Sequence, residues 1–101
     1  MINSPLTSND PAAMFQRAAE VFGLLSTTTR LRIVACLCER EMSVSELVDR
    51  LAIPQPTMSQ QLSLLHRAGL ISRRRDGTNM FYRTAGAAAA FLCSAVRSLT
   101  G

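Results

Sequence analysis

The sequence has no lysine and no tryptophan, and only one histidine and one tyrosine, in 101 residues. Without lysine, all eleven cationic side chains are arginine. The planar arginine fork bonds two acceptors at once, which suits phosphates and base edges. A GC-rich genome favours the same choice, so the absence carries weight only together with where the arginines lie. One histidine, no paired carboxylates in a pocket-like context and no glycine-rich phosphate loop leave little for an enzyme to work with. No catalytic residue and no cofactor is assigned. Three cysteines are an odd number and too few for a disulfide scaffold. Reduced thiols and a cytoplasmic location are therefore expected. The polar stretch from Met1 to Asp10 lacks the apolar centre of a secretory signal. No apolar run approaches the roughly 20 residues that span a bilayer, so no membrane partner is expected.

What the chain does have is apolar surface and a concentrated positive charge. A domain of this length buries a modest share of its surface. Yet 48% of its residues are hydrophobic, more than a small core needs. A second copy of the chain is the simplest partner for the excess. The net charge is +4. Between His66 and Arg83, Arg67, Arg73, Arg74, Arg75 and Arg83 face Asp76 alone, while six arginines and six acids elsewhere cancel. The whole net charge thus sits in one short stretch, the footprint expected for nucleic acid.

Residues 1–11 read as a flexible N-terminal arm, and 12–101 as one DNA-binding and dimerisation domain. Asp10-Pro11 signals a helix start. Phe15, Ala18, Ala19, Phe22 and Leu25 then make one face of a helix from about Ala12 to Leu25. A second helix, about Thr28 to Glu39, is apolar on most sides and therefore central, with one stripe of Leu31, Val34, Ala35 and Cys38. Ser43 and Glu46 form a capping box for a third helix with Val44, Leu47, Val48 and Leu51 inward. After a short turn at Ile53-Pro54-Gln55, Pro56 sits in the first turn of a fourth helix. That helix buries Met58, Leu62 and Leu65 and ends at Gly69. Asp76-Gly77 between two short runs signals a hairpin, and a last helix spans about Ala87 to Leu99. The expected fold is mainly α with a two-stranded β-wing: a winged helix-turn-helix ordered α1-α2-α3-α4-β1-β2-α5.

In such a fold the fourth helix enters the major groove. Gln55, Thr57, Ser59, Gln60, Gln61 and Ser63 are small or amide side chains on its outer side, with no acid among them. Glutamine can bond adenine at two points, and Ser or Thr a base or phosphate. Arg73, Arg74 and Arg75 alternate faces of the wing, with Thr78 and Asn79 at a tip narrow enough for a minor groove, where arginine is favoured. These eleven residues are the expected DNA contacts. Phe15, Ala19, Phe22, Phe91, Leu92, Ala95 and Leu99 are the expected dimer seam. Three readings stay open for Cys36, Cys38 and Cys93: small buried hydrophobes, a thiol or persulfide switch, or a soft-metal or arsenite site. On a helix, Cys36 and Cys38 lie about 200° apart, so one ion would need a third ligand from elsewhere.

The runs Thr29-Arg30-Leu31-Arg32-Ile33-Val34, Met42-Ser43-Val44-Ser45-Glu46-Leu47, Gln55-Pro56-Thr57-Met58-Ser59-Gln60-Gln61-Leu62 and Phe81-Tyr82-Arg83 resemble ArsR-type repressors over about residues 15–100. The resemblance is greatest to the branch of biofilm-growth and sulfide-responsive repressors. It implies a homodimer built from the first and last helices, a palindromic operator, and repression relieved by a metal or by thiol oxidation. The sensing sites depart from the family. Ser43 and Ser45 stand where metal sensors carry Cys-x-Cys, and the last helix has no histidine or carboxylate for zinc. The two thiol-switch positions fall on Ala35 and Gly101, so the three cysteines do not inherit that role; a different pair requires the second and last helices to touch. No metal ligand is assigned. A winged-helix protein-interaction module remains the alternative to a repressor.

Overall fold

The computed structural model of the chain describes residues 10–100. Most of the expected N-terminal arm, residues 1–9, and also Gly101 lie outside the described residues. Asp10 and Pro11 belong to the first helix: the Asp10 carboxylate accepts the Ala12 N–H at 3.0 Å, and Pro11 is the first residue of α1 (Pro11–Leu24). No residue of α1 is buried. The Thr27 hydroxyl caps α2 (Thr28–Glu39) by accepting the Arg30 N–H at 3.2 Å. Ile33, Val34, Cys36 and Leu37 of α2 are buried, as a central helix requires. The expected stripe is shifted, however: Leu31 is 40% exposed, and Ala35 and Cys38 are half-buried.

The capping box forms at α3 (Val44–Leu51). The Glu46 N–H donates to the Ser43 hydroxyl at 3.1 Å, and the Ser43 N–H donates to the Glu46 carboxylate at 2.9 Å. Ala52 ends α3 in the left-handed region, at φ 57°. Three residues later α4 begins (Gln55–Arg67), burying Met58, Leu62 and Leu65 as expected. Gly69 has φ +80°, and the N–H groups of Gly69 and Leu70 return to the carbonyls of His66 and Leu65. This is the paired closure that glycine permits after a helix end.

The sheet corrects the expected architecture. It has three strands, not two: β1 (Met42–Ser43), β2 (Ile71–Asp76) and β3 (Asn79–Thr84), in spatial order β1-β3-β2 and antiparallel throughout. The chain order is α1-α2-β1-α3-α4-β2-β3-α5, with α5 spanning Gly86–Thr100. Two residues are too few to show a period of two in sequence. Met42 and Ser43 are extended because they pair with Tyr82 and Phe81 of β3. Opposite, Asp76 pairs with Asn79 around the two-residue loop Gly77-Thr78, where Gly77 supplies φ +65°.

The core lies where α2, α3 and α4 meet the sheet, around Ile33, Leu47, Met58, Leu62, Leu65, Leu70 and Tyr82. From α5, Ala89 and Cys93 are buried. Cys93 bonds Cys38 of α2 in a disulfide, with Cα atoms 5.6 Å apart. The expectation of reduced thiols therefore does not describe this state. The cause is tertiary: α5 packs along α2 and brings the two residues within bridging range. Among the described residues, no single helix is long and apolar enough to cross a membrane.

Candidate nucleic-acid interface

The third and fourth helices are joined by Ala52-Ile53-Pro54, and only Ile53 of these is buried. Burying Ile53, together with Leu47 and Leu51 of α3, anchors the turn and fixes α4 against the core. The outer side of α4 then faces solvent. Gln55, Thr57, Ser59, Gln60 and Ser63 are all exposed. A surface groove of about 600 Å³ runs along it, lined by Pro56, Ser59, Gln60, Gln61, Ser63, Leu64 and Arg67. Gln61 is half-buried, and its carbonyl oxygen accepts from Arg30 Nε at 2.7 Å.

A second cleft, about 370 Å³, joins Gln55 at the start of α4 to Thr78, Asn79 and Met80 of the wing, with Ser43, Val44, Ser45, Val48 and Asp49 as its floor. Of the expected contacts, Gln55, Thr78 and Asn79 thus border one concavity, whereas Ser59, Gln60, Gln61 and Ser63 line the groove along α4, and Arg73 and Arg74 line a cleft with Glu41, Ser72 and Arg83. On the wing, Arg73 pairs with Tyr82, Arg74 with Phe81 and Arg75 with Met80. Strand alternation puts Arg73 and Arg75 on the face of buried Tyr82, and Arg74 on the opposite face with Phe81.

Arg74 is engaged rather than free. It grips Glu41 with two bonds, Nε at 2.9 Å and Nη2 at 2.7 Å, and lies 4.7 Å from the centre of the Phe81 ring. This bond holds the Glu41 carboxyl below the usual range, and its own partner raises Arg74 further. Behind it, Arg83 Nε donates to the Ser72 hydroxyl at 3.2 Å. Arg74 therefore fastens the wing to the residue preceding β1. Arg73 and Arg75 are exposed without such a grip.

The remaining expected residues divide in two. Phe15, Ala19, Phe22, Phe91 and Leu99 are exposed, while Leu92 and Ala95 are half-buried. Phe22, Phe91 and Leu92 share an apolar groove of about 230 Å³ with Arg17, Ala18, Val21 and Ala88, between α1 and α5. Of the cysteines, Cys38 and Cys93 open on a cleft with Ala35, Glu39, Val96 and Arg97. Cys36 is buried and unbridged, and burial raises its thiol pKa. A reactive thiol needs the opposite shift. Among the described residues, no group of three His, Cys, Asp or Glu side chains is placed to hold a metal ion.

Sequence reasoning missed Arg30 and Glu41, and counted Arg67 in the basic stretch without naming it as a contact. Arg67 carries a local signal: two turns after Gln60 and one after Ser63, it continues the polar side of α4. Arg30 and Glu41 carry none, since their partners Gln61 and Arg74 lie 31 and 33 residues away.

Comparison with known proteins agrees with this geometry. The family model described as "Bacterial regulatory protein, arsR family" matches residues 27–73. The chain is 43% identical over 89 residues to the biofilm growth-associated repressor of Xylella fastidiosa, aligning 85% of this chain and 78% of that protein. It is 47% identical over 64 residues to the HTH-type transcriptional regulator KmtR of Mycobacterium tuberculosis, aligning 63% of this chain and 49% of that one. The chain thus spans about half the length of that relative. The solution structure of a homodimeric winged helix-turn-helix DNA-binding domain, Mb0332 from Mycobacterium bovis, superposes with a TM-score of 0.79 at 30% identity, covering 95% of this chain and 89% of that one. These matches are to transcriptional regulators, and the chain belongs to the ArsR family of winged helix-turn-helix repressors, on its biofilm growth-associated branch.

Proposed function

We propose that the protein is a cytoplasmic homodimeric repressor that holds a palindromic operator through α4 and the wing and releases it on a thiol-directed signal. The observation that carries this reading is the single concavity shared by Gln55 of α4 and Thr78 and Asn79 of the wing tip. The exposed outer side of α4 has no acid, and Arg73 and Arg75 supply cations nearby in the chain. A duplex laid across α4 and the wing meets hydrogen-bonding groups in one groove and, at Arg73 and Arg75 outside that concavity, positive charge for its backbone. The solvent-facing seam of α1 and α5 supports pairing of two copies, and two-fold symmetry calls for a palindromic site. The Cys38–Cys93 bridge supports the thiol signal. Closing it removes two protons and two electrons, which an oxidant or a persulfide takes up, and ties α5 of the seam to α2 of the core.

The test is fluorescence anisotropy of a labelled duplex from upstream of the protein's own gene, at salt from 50 to 200 mM. Affinity should fall steeply with salt, and Arg73→Ala and Arg75→Ala should each lower the slope by roughly one. Reduced protein should bind at least tenfold more tightly than the disulfide form. Cys38→Ser and Cys93→Ser should bind alike under both conditions, whereas Cys36→Ser should respond like the wild type. No binding at low salt would end the repressor reading. Equal affinity of the two redox forms would end the thiol part alone.

A further inference from the structure

Gln61 presents only one end of its amide. Its carbonyl oxygen accepts from Arg30 Nε at 2.7 Å. Arginine carries donors and no acceptor, so the end facing it has to be the oxygen. This removes the usual ambiguity between the two ends of a glutamine. Arg30 is itself held in place: Nη1 donates to the Leu24 carbonyl at 2.9 Å, and its backbone N–H donates to the Thr27 hydroxyl at 3.2 Å. One guanidinium therefore ties the end of α1 and the start of α2 to α4. The other end of the amide, Nε2, has no partner among the described residues. No polar side-chain atom there is both buried and unbonded, so Nε2 reaches solvent. Gln61 also lines the groove on the outer side of α4.

We infer that Gln61 is a donor-only contact to the operator, with Arg30 as the positioning residue that makes it so. This rests on the DNA-binding reading above. A glutamine that reads adenine accepts from N6 and donates to N7 with both amide ends together. Arg30 turns the accepting end of Gln61 inward, so that pairing is closed to it. Rotating the amide outward would break a charge-assisted bond, which is stronger than a neutral one. The Nε2–H that remains fits an acceptor alone: guanine O6 or N7, thymine O4, or a phosphate oxygen. Adenine N7 accepts too, but the neighbouring N6 donor is then left unmatched, so guanine or thymine is favoured over adenine. Gln60 differs. It is exposed and has no such partner, so it keeps both ends and can serve adenine.

The experiment is selection from a duplex library with a randomised operator half-site, using reduced full-length wild type, Arg30→Met, Gln61→Leu and Gln61→Glu. The position facing Gln61 is the one whose base preference Gln61→Leu abolishes. The wild type should prefer guanine or thymine there, and Gln61→Glu should lose that preference, since it keeps an acceptor for Arg30 but has no donor. Arg30→Met should release the amide and raise adenine at that position about tenfold. If Gln61→Leu instead weakens all sequences uniformly several-fold, the acceptor is a phosphate, and the donor-only assignment stands. Adenine preferred by the wild type at that position overturns it. So does Arg30→Met selecting the same bases with the same affinity. Should Arg30→Met fail to fold, as judged by circular dichroism, the two Gln61 variants decide. Wild type that binds no duplex condemns the repressor reading instead.

Discussion

Arg74 shows how spatial neighbours divide the work of three consecutive arginines. It is 53% exposed, enough to reach a phosphate, yet Glu41 and Phe81 hold it to the scaffold. Arg73 and Arg75, on the other face, stay available. The same pairing makes stability depend on acid. Hydrogen bonding from Arg74 holds Glu41 below its usual range, and the Ser43 N–H chiefly does so for Glu46. A carboxyl depressed in the folded state stays charged there after the unfolded chain has begun to take up its proton. Its contribution is therefore complete above the unfolded value, roughly 4.3 for glutamate, and is lost as pH falls through the folded value. Urea midpoints between pH 7 and 3 should drop in this window. Glu41→Gln with Glu46→Gln should lower the midpoint at pH 7 slightly and flatten the drop. An equally steep drop in the double variant would show that other carboxylates govern acid unfolding.

The elements that form from local chemistry were legible in the sequence. The Asp10 cap, the Ser43–Glu46 box, Gly69 and the Gly77 turn each depend on residues within a few positions of each other, and each occurs as read. Strand β1 was not legible, because Met42 and Ser43 are extended only through partners some 40 residues on. The same limit hid the bridge. The family resemblance puts the switch positions on Ala35 and Gly101, and only packing of α5 on α2 shows that Cys38 meets Cys93. That bridge closes a loop with a sequence separation of 55. Loop-closure entropy of that length corresponds to roughly 4 kcal/mol in the chain-entropy model. Oxidised wild type should therefore unfold at clearly higher urea than reduced wild type, and Cys93→Ser should match the reduced protein under both conditions. Coincident curves for oxidised and reduced wild type would mean that the bridge adds strain equal to what it constrains.

At the scale of the molecule, the arrangement of apolar surface is the strongest argument for a second copy. No residue of α1 is buried, and of its apolar side chains only Val21 and Leu24, near its end, pack against the core, so among the described residues most of its apolar stripe is left uncovered. Phe15 is 76% exposed, Phe22 61%, Phe91 69% and Leu99 88%. Burying one such side chain is worth about 1.5–3 kcal/mol, and a two-fold axis would bury each of them twice. On α5, Phe91, Ala95 and Leu99 lie on the side away from Cys93, since each residue turns a helix by about 100°. A partner seated on the seam therefore leaves the cleft beside the bridge open to a small oxidant or thiol. Phe22→Glu and Phe91→Glu each place a charge in this seam. In sedimentation equilibrium at about 10 μM, wild type should have twice its chain mass of 11.0 kDa, and each variant the mass of a single chain. Operator affinity should fall at least 100-fold in the variants, because one half-site replaces two, while the far-ultraviolet spectrum keeps the helical signal of α2 to α4. Wild type that sediments as a single chain, yet binds the operator tightly, would leave the α1–α5 seam without a role in recognition.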